Sequence, residues 1–323
     1  MAAPSRHNDA LDSGRSSSAI RWVRDRFRPS KPKVKLPPLS PGRWMRLVGW
    51  RHAVIIIGCL FALYPAVWIV SASINPVNNL QGAKLIPDGA TFDNFRELFN
   101  NDLTPFTRWL RNSWIVALTA SVFNVLLASL AAYAFSRLRF KGRRAGLLTL
   151  LLVQVFPQFL GFIALFLMLQ SIGSVFPALG LNTLLGLILV YSGGAIGFNA
   201  YLIKGFMDSV PASLDESARV DGASAFIIFW RIILPLARPA LAVIFIITFI
   251  NLYGEFILAQ TLLRNVDNYT YAVGLRLFVQ SEYAAKWGEL GAAAMIGAAP
   301  IVITFLFAQR SIISGLTQGA VKE

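Results

Sequence analysis

The feature that most constrains this sequence is a series of six long apolar stretches separated by short polar segments. Hydrophobic residues make up 55% of the 323 and charged residues 14%, whereas a soluble domain carries about 25% charge. Each stretch is close to the roughly 20 residues that a helix needs to cross a hydrocarbon core. The stretches are Ala53–Ile74, Trp114–Phe135, Ala145–Leu169, Thr183–Phe206, Pro239–Leu262 and Leu290–Ala308. The sequence therefore predicts an all-α polytopic membrane protein with six transmembrane helices.

The net charge of +14 is distributed unevenly around these predicted spans. The N-terminal segment, the loop 136–144, the segment 204–238 and the C-terminal tail together hold 23 Lys and Arg residues, and the loops on the other side hold 7. Because basic residues in short loops mark the cytoplasmic side, both termini are predicted to be cytoplasmic. This topology explains the charge without nucleic acid, so we expect membrane lipids as contacts of the basic segments.

Three regions follow from the charge and the apolar pattern. Residues 1–51 hold twelve Lys or Arg and several prolines, a composition that is typical of a disordered tail. Residues 52–309 are expected to form the six-helix membrane domain, and residues 310–323 a second cytoplasmic tail. Within the domain, the segment 207–237 is predicted to be cytoplasmic and the loop 263–289 to lie on the outer side.

The cytoplasmic segment contains a 23-residue island, Ser213–Pro235. Ser213 and Glu216 have the spacing of a capping box, which predicts a helix that begins at Ser213. Gly222 can end this helix, because glycine tolerates the left-handed backbone that follows many helices. A second helix is predicted from Ser224 to Leu234, stopped by Pro235. It is apolar on almost every side but too short to cross a bilayer, so we expect it to lie on the membrane or in a partner's groove.

Several kinds of chemistry are missing from the sequence. One cysteine, Cys59, and two histidines, His7 and His52, do not make a metal site. No P-loop motif is present, so the chain does not bind ATP in that way. No hydrolase or metalloprotease motif is present either. We therefore expect no enzymatic activity and no bound cofactor, and energy supplied by another chain.

Glu255 is a carboxylate inside a predicted span, which makes it a candidate functional residue. It lies near the outer end, where it could equally hydrogen-bond in a polar interface. A secondary transporter driven by ions is the alternative function, although it would need more intramembrane charges than this one. A membrane scaffold or a membrane enzyme is a third interpretation.

Two outer loops carry local patterns. Phe92, Phe95, Leu98 and Phe99 have helical spacing and predict a short amphipathic helix after a turn. The loop Asn265–Gly288 is long and rich in polar and aromatic groups, which favours a functional role. An interfacial aromatic belt is the simpler explanation of the same residues.

The island closely resembles the EAA loop of permease subunits of ABC importers. That motif has EAA, three residues, Gly, nine residues and I-x-LP, and its residues here are Glu216, Ser217, Ala218, Gly222, Ile232, Leu234 and Pro235. Ser217 replaces the middle alanine, a small-for-small change. From the first outer loop to the C-terminus, the chain resembles the smaller, MalG-type permease subunit of maltose and maltodextrin importers. The resemblance implies the fold of a type I ABC importer permease.

The resemblance also implies partners and site residues. The EAA loop of such a subunit is a coupling helix that enters a cleft on an ATPase, where its glutamate, here Glu216, pairs with an arginine. An outer scoop loop enters the sugar-binding protein, and the matching residues are Asn265, Asp267, Asn268, Tyr269 and Thr270. The C-terminal tail reaches between two ATPase subunits, and the matching residues are Gly315, Leu316, Thr317 and Gly319.

The implied assembly is a heterodimer with a second, homologous permease, two ATPases that bind ATP and Mg, and an extracytoplasmic sugar-binding protein. It would lie in the bacterial inner membrane. The resemblance implies a maltodextrin-type sugar, and importers of other sugars such as trehalose have similar subunits.

Overall fold

The computed structural model describes residues 42, 45–77, 84–194, 196–280 and 285–320, without the side chains of residues 308 and 310–320. All regular structure in these residues is helical. The helices are α1 (Trp50–Ser73, after a π turn Met45–Gly49), α2 (Asp93–Asn100), α3 (Phe106–Arg137), α4 (Arg143–Val155), α5 (Phe162–Val175), α6 (Leu184–Gly194), α7 (Ile196–Ser209), α8 (Ala212–Val220), α9 (Ala225–Tyr253), α10 (Ile257–Leu262), α11 (Tyr271–Leu275) and α12 (Trp287–Ala320). Short 3₁₀ turns cover Gln158–Gly161, Pro177–Leu179, Val266–Asn268 and Arg276–Phe278. The chain divides into two compact units, Met1–Phe61 and Ala62–Glu323.

Within the described residues, five helices are long and apolar enough to cross a membrane, and the bent pair α6 and α7 gives six when it is counted as one span. The prediction of a six-span helical membrane protein is confirmed. The predicted disordered tail lies almost entirely outside the described residues.

The third span differs from its prediction. The apolar stretch Ala145–Leu169 is divided between α4 and α5, and the helix long enough to cross is Gln158–Val175. The break lies at Pro157, which has extended backbone (φ −60°, ψ 109°). Proline lacks the N–H that would continue the helix, and it disfavours helical backbone in the residue before it.

The predicted stop at Pro235 is wrong. Helix α9 runs without a break from Ala225 to Tyr253, and a π-helical turn, Phe229–Ile233, lies immediately before the proline. The π turn has wider i→i+5 bonding, which locally changes the backbone geometry where proline removes a hydrogen bond. The predicted short apolar helix is therefore the first part of span five, not a separate element.

Helix α3 lies at the centre of the membrane domain and packs against α6, α7 and α9. Alanines on its buried side, among them Ala120, Ala128 and Ala132, let these helices approach closely. Polar groups also meet in this interior: Asn199 Nδ2 donates to Asn124 Oδ1 at 2.6 Å and to Thr248 Oγ1 at 3.2 Å. This junction joins α3, α7 and α9.

Candidate coupling site

The predicted end of the first island helix at Gly222 is confirmed. Helix α8 ends at Val220, and Gly222 has φ +82°. The N–H of Ala223 donates to Ala218 O at 2.9 Å and that of Gly222 to Arg219 O at 3.0 Å. This is the Schellman arrangement, in which a left-handed residue satisfies the last carbonyls of a helix. An added Cβ at Gly222 would meet no atom within 4 Å, so the backbone angle alone requires glycine within this chain.

The predicted capping box is wrong. Helix α8 begins at Ala212, with Pro211 in the N-cap position and no side-chain cap. Ser213 is therefore already inside the helix and lacks the extended backbone that an N-cap residue needs. Glu216 is exposed and is left free for another partner.

The motif residues divide between buried and exposed positions. Ala218 is 9% exposed and belongs to a core cluster with α3 and α7. Ile232 and Leu234 pack against the same cluster, and Pro235 is half-buried. Glu216 and Ser217 face away from it. The motif thus fixes α8 to the membrane domain on one side and presents a carboxylate on the other.

An ion pair that the sequence reasoning missed fastens α8 to the end of α3. Arg137 Nε lies 3.0 Å from Asp215 Oδ2, and the two side chains are 9% and 5% exposed. The contact has the distance of an ion pair but lies outside hydrogen-bonding geometry, and Asp215 Oδ1 has no hydrogen-bond partner among the described residues. Arg137 also donates to Met207 O at 2.9 Å and to Val210 O at 2.7 Å. One guanidinium therefore joins α3, the end of α7 and α8.

Further contacts in the last turns of α3 reinforce this junction. Tyr133 donates to Ala225 O at 3.1 Å, and Ser136 donates to Asp208 Oδ1 at 2.7 Å. The sequence contained a signal for this ion pair. Asp215 lies three residues before the motif's Ala218, so both residues are on the same buried side of α8. A carboxylate there requires a cation, and Arg137 ends span two.

Exposed apolar side chains surround the coupling motif. Val220 is 88% exposed, Phe226 69% and Leu214 41%. Clustered apolar groups at the exposed end of a bundle are typical of a protein interface. Together with Glu216, they form the surface that we call the coupling face: Leu214, Glu216, Ser217, Val220 and Phe226.

The predicted scoop-loop residues lie against the start of α3. Asn112 Nδ2 donates to Asp267 O at 2.9 Å and to Tyr269 O at 3.0 Å, and the side chain of Asp267 pairs with Arg108. Asn268 Nδ2 donates to Asn182 O at 2.7 Å. Tyr269 and Thr270 are buried, while Asn265 accepts from Asp267 N at 3.0 Å within its own turn. The segment is held by its backbone carbonyls, and Asp267 is half-exposed.

The residues that follow complete this packing. Tyr271 N donates to Ser113 Oγ at 2.7 Å, and burial raises the pKa of Tyr271 to about 12. Its hydroxyl therefore stays protonated and donates to Ala293 O at 3.3 Å. A side chain at Gly274 would overlap the ring of Trp109, so the close approach of α11 to α3 requires glycine there.

Glu255 is placed in a hydrogen-bonded structural setting. It follows the end of α9 and accepts from Leu258 N at 2.8 Å and from Ala259 N at 2.9 Å, the free N–H groups that begin α10. Tyr191 donates its hydroxyl to the same carboxylate. Of the two alternatives for this residue, these contacts favour the polar interface. The predicted short amphipathic helix after the first span is confirmed as α2, with Leu98 buried.

The predicted ATPase-contacting tail begins as a continuation of span six. Helix α12 extends through Ala320, so the backbone at Gly315, Leu316, Thr317 and Gly319 is helical. Their side chains lie outside the described residues.

Comparisons with known proteins agree with this arrangement. The family "Binding-protein-dependent transport system inner membrane component" matches residues 124–317. The galactooligosaccharides transport system permease protein GanQ of Bacillus subtilis is 39% identical over 288 residues, covering 89% of this chain and 99% of that protein. The maltose/maltodextrin transport system permease protein MalG is 39% identical in Vibrio parahaemolyticus, over 84% of this chain and 93% of that protein. The Escherichia coli MalG is 36% identical to this chain, covering 84% of this chain and 94% of that protein.

Solved structures show the same fold. A bacterial ABC transporter involved in the import of the acidic polysaccharide alginate contains a chain that superposes with a TM-score of 0.71 at 26% identity, covering 85% of this chain and 99% of that one. A chain of the alginate transporter in complex with an alginate pentasaccharide-bound periplasmic protein superposes with a TM-score of 0.61 at 22% identity, which supports the fold alone. The chain therefore belongs to the family of binding-protein-dependent transport system inner membrane components, as an ABC importer permease of the MalG type.

Proposed function

We propose that this chain is one permease subunit of an ATP-driven sugar importer, and that α8 is the element through which separate ATPase subunits drive it. The observation that carries the proposal is the placement of Glu216. It is an exposed carboxylate on a helix that a buried ion pair and a Schellman turn hold in one position. A rigid helix of this kind passes a partner's movement to α3 and α7.

The coupling face fits a groove on a partner. Its apolar side chains supply area to bury, and Glu216 supplies one charge to pair with an arginine in that groove. The permease would form a heterodimer with a second, homologous permease, and two ATPases would bind ATP and Mg. The helical tail at residues 315–319 lies further along the chain as a second contact with the ATPases.

The coupling face is assigned to the cytoplasm and the protein to the bacterial inner membrane, with both termini cytoplasmic. The support is the excess of basic residues in the segments on that side. On this topology, residues 1–51 are a cytoplasmic tail ahead of the permease domain, residues 52–309.

The outer side is the surface for the extracytoplasmic sugar-binding protein. Arg108, Arg111 and Asp267 line an outer cavity of about 420 Å³ beside the predicted scoop-loop residues. Because the backbone of residues 266–270 is bound to α3, this segment would act as a firm docking edge for the binding protein. The substrate class is an oligosaccharide of the maltodextrin type. Its nearest alternative is a galactooligosaccharide, since relatives of both kinds are equally identical to this chain.

The central test is sugar uptake by the chain expressed with its partner subunits in cells that lack their own maltodextrin importer. We expect Glu216→Ala to reduce uptake of labelled maltotriose more than tenfold, because a desolvated charge pair at an interface is worth about 2–5 kcal/mol. The matched control is Glu97→Ala, which removes an exposed carboxylate from α2 and should transport normally.

Two further measurements make the test decisive. Membrane content of each variant establishes that insertion is unaffected, and co-purification of the ATPase subunits measures docking. Full uptake by Glu216→Ala, with normal ATPase binding, would refute the assignment of α8. If uptake by the unmodified chain in these cells persists after ATP depletion but stops when the ion gradient is collapsed, the ion-coupled alternative is favoured.

A further inference from the structure

Arginine side chains gather in a cavity of about 570 Å³ between the end of α3, the start of α4 and α8. The two carboxylates in its wall are Asp215 and Glu216, and Asp215 is already paired with Arg137. Three arginines, Arg139, Arg143 and Arg219, therefore face one remaining carboxylate.

These cations are available to a ligand. Arg139 and Arg219 are exposed and make no ion pair or side-chain hydrogen bond within the described residues. Arg143 is fixed at the wall, because its Nε donates to Phe135 O at 2.6 Å and its Nη2 to Ser136 O at 3.0 Å. Its Nη1 group makes no hydrogen bond within the described residues, and the guanidinium also attracts the nearby carboxylate of Asp208.

The start of α4 adds to the positive potential. Arg143 is its first residue, and Gly142 at the N-cap provides no side-chain cap. The first N–H groups of a helix have no partner within the helix, and its dipole favours an anion at this end. An unpaired arginine cluster next to an uncapped helix start is suited to a phosphate group, which accepts several hydrogen bonds at once.

Apolar neighbours place the cavity at the membrane boundary. Leu138 and Phe140, 37% and 45% exposed, alternate with arginines just beyond the last turn of α3, a spanning helix. Exposed apolar groups among arginines fit the level of the lipid headgroups, where the former enter the acyl region and the latter reach phosphates. The cavity is a basic pocket at the end of one spanning helix, a kind of position that attracts anionic headgroups.

We propose that this cavity binds the phosphate-bearing headgroup of an anionic phospholipid, of the phosphatidylglycerol type. Arg139 and Arg219 contact the phosphate from two sides, Arg143 contacts it from the wall, and Leu138 and Phe140 lie beside the acyl chains. Since Arg219 belongs to α8 and Arg139 to the loop after α3, the bound headgroup joins the two elements. Glu216 lies in the wall of the same cavity, so the lipid site borders the proposed ATPase contact, and the two are tested separately.

The test is a lipid titration of the full-length chain in detergent, followed by native mass spectrometry. Phosphatidylglycerol and phosphatidylcholine are added separately. Arg139→Gln with Arg219→Gln should weaken phosphatidylglycerol binding about 30-fold, since each basic side chain at an anionic surface contributes about fivefold. The matched control, Arg231→Gln with Arg238→Gln, removes the same charge from exposed positions outside the cavity and should change binding less than twofold.

Three outcomes of the titration would contradict a phospholipid site. Equal losses in the two double variants would overturn the proposal, because general charge attraction would then explain binding. Displacement of the lipid by inorganic phosphate at millimolar concentration would show a site for free phosphate instead. Expulsion of the lipid when purified ATPase subunits are added would identify the cavity as a protein-docking surface.

A photoreactive phosphatidylglycerol provides a measurement that needs no variant. It should label wild-type peptides containing residues 137–143, and labelling confined to other segments would contradict the site.

Discussion

Gly222 combines a backbone requirement with an exposed position beside the coupling face, two residues after Val220. Its φ of +82° lies in the left-handed region, and the space around an added Cβ is empty within this chain. The two roles can be separated, because some side chains tolerate that backbone while still occupying the space. The choice of substituent therefore distinguishes a local strain from a clash with a partner.

We expect Gly222→Val to lower the stability of the chain by about 1–2 kcal/mol, since left-handed backbone costs that much for residues with a Cβ. Gly222→Asn should be nearly neutral, because asparagine tolerates this conformation. Thermal unfolding of the purified chain measures both. If Gly222→Asn keeps its melting temperature but loses uptake, the added side chain clashes with the partner. If Gly222→Asn and Gly222→Val are destabilised equally, the left-handed φ does not determine the stability at this position.

Arg137 and Asp215 form a different kind of constraint, one between distant parts of the chain. Both side chains are at least nine-tenths buried, and removing one partner of such a pair leaves an uncompensated charge. That loss costs about 3–5 kcal/mol, whereas replacing both partners by apolar groups is often close to neutral.

The expected order of stability is therefore wild type first, then the double variant Arg137→Met with Asp215→Leu, which loses only the hydrogen bonds of Arg137 to Met207 O and Val210 O, with each single variant well below. Thermal unfolding of the four proteins provides a double-mutant cycle. Arg231→Gln, at an exposed position, serves as a control with no expected change. Additive effects of the two single substitutions would show that the ion pair contributes nothing.

Among the elements, the junction of α9 and α10 depends on Glu255. Its carboxylate accepts from the first N–H groups of α10 and from Tyr191, so it orders a helix start beside the polar outer loop. A group that acts by accepting hydrogen bonds can be replaced by a neutral acceptor, whereas a group that carries protons cannot.

Glu255→Gln should keep at least half of the wild-type sugar uptake, because one amide oxygen can still accept from the helix start. Glu255→Ala should lose about 1 kcal/mol or more of stability, the usual value of an N-terminal cap. Uptake and thermal unfolding of the same two variants are the measurements. Complete loss of transport in a stable Glu255→Gln protein would restore Glu255 as a functional carboxylate.

The elements also show where sequence reasoning reached its limit. The end of α8 was predictable, because Gly222 acts through its own backbone. The start was not, since Ser213 and Glu216 satisfied a local rule while the chain entered the helix at Pro211. The continuation of α9 past Pro235 and the pairing of Asp215 with Arg137 depend on packing with other helices, which no local pattern contains.

At the scale of the whole molecule, too, features set by the local sequence were predictable and features set by packing between helices were not. Apolar length and the EAA spacing were sufficient for the membrane class and the family. Apolar length also placed span three across Pro157, where the helix breaks. The reason is that hydropathy measures composition and not the continuity of the backbone. The loop Asn265–Gly288 was predicted to be functional from its length and its polar and aromatic content, and residues 265–270 were singled out by the family resemblance. Their contacts with Asn112 and Asn182 required the fold.

The proposed topology can be tested with single cysteines. Cys59 is the one cysteine of the sequence, so Cys59→Ser provides a background without thiols. We expect a cysteine at Ser217 to react with a membrane-impermeant maleimide in inside-out vesicles and one at Thr107 to react in right-side-out vesicles. Labelling of both from the same side would contradict the orientation.

The continuity of α9 has a mechanical consequence. The helix contains 29 residues, which corresponds to a length of about 43 Å at 1.5 Å per residue. It starts three residues after Gly222 and ends two residues before Glu255. If the helix tilts as one rod by about 10°, a pivot at the α8 end moves the other end by about 7 Å. A small rotation at one membrane face would thus become a displacement wider than a helix radius at the opposite face.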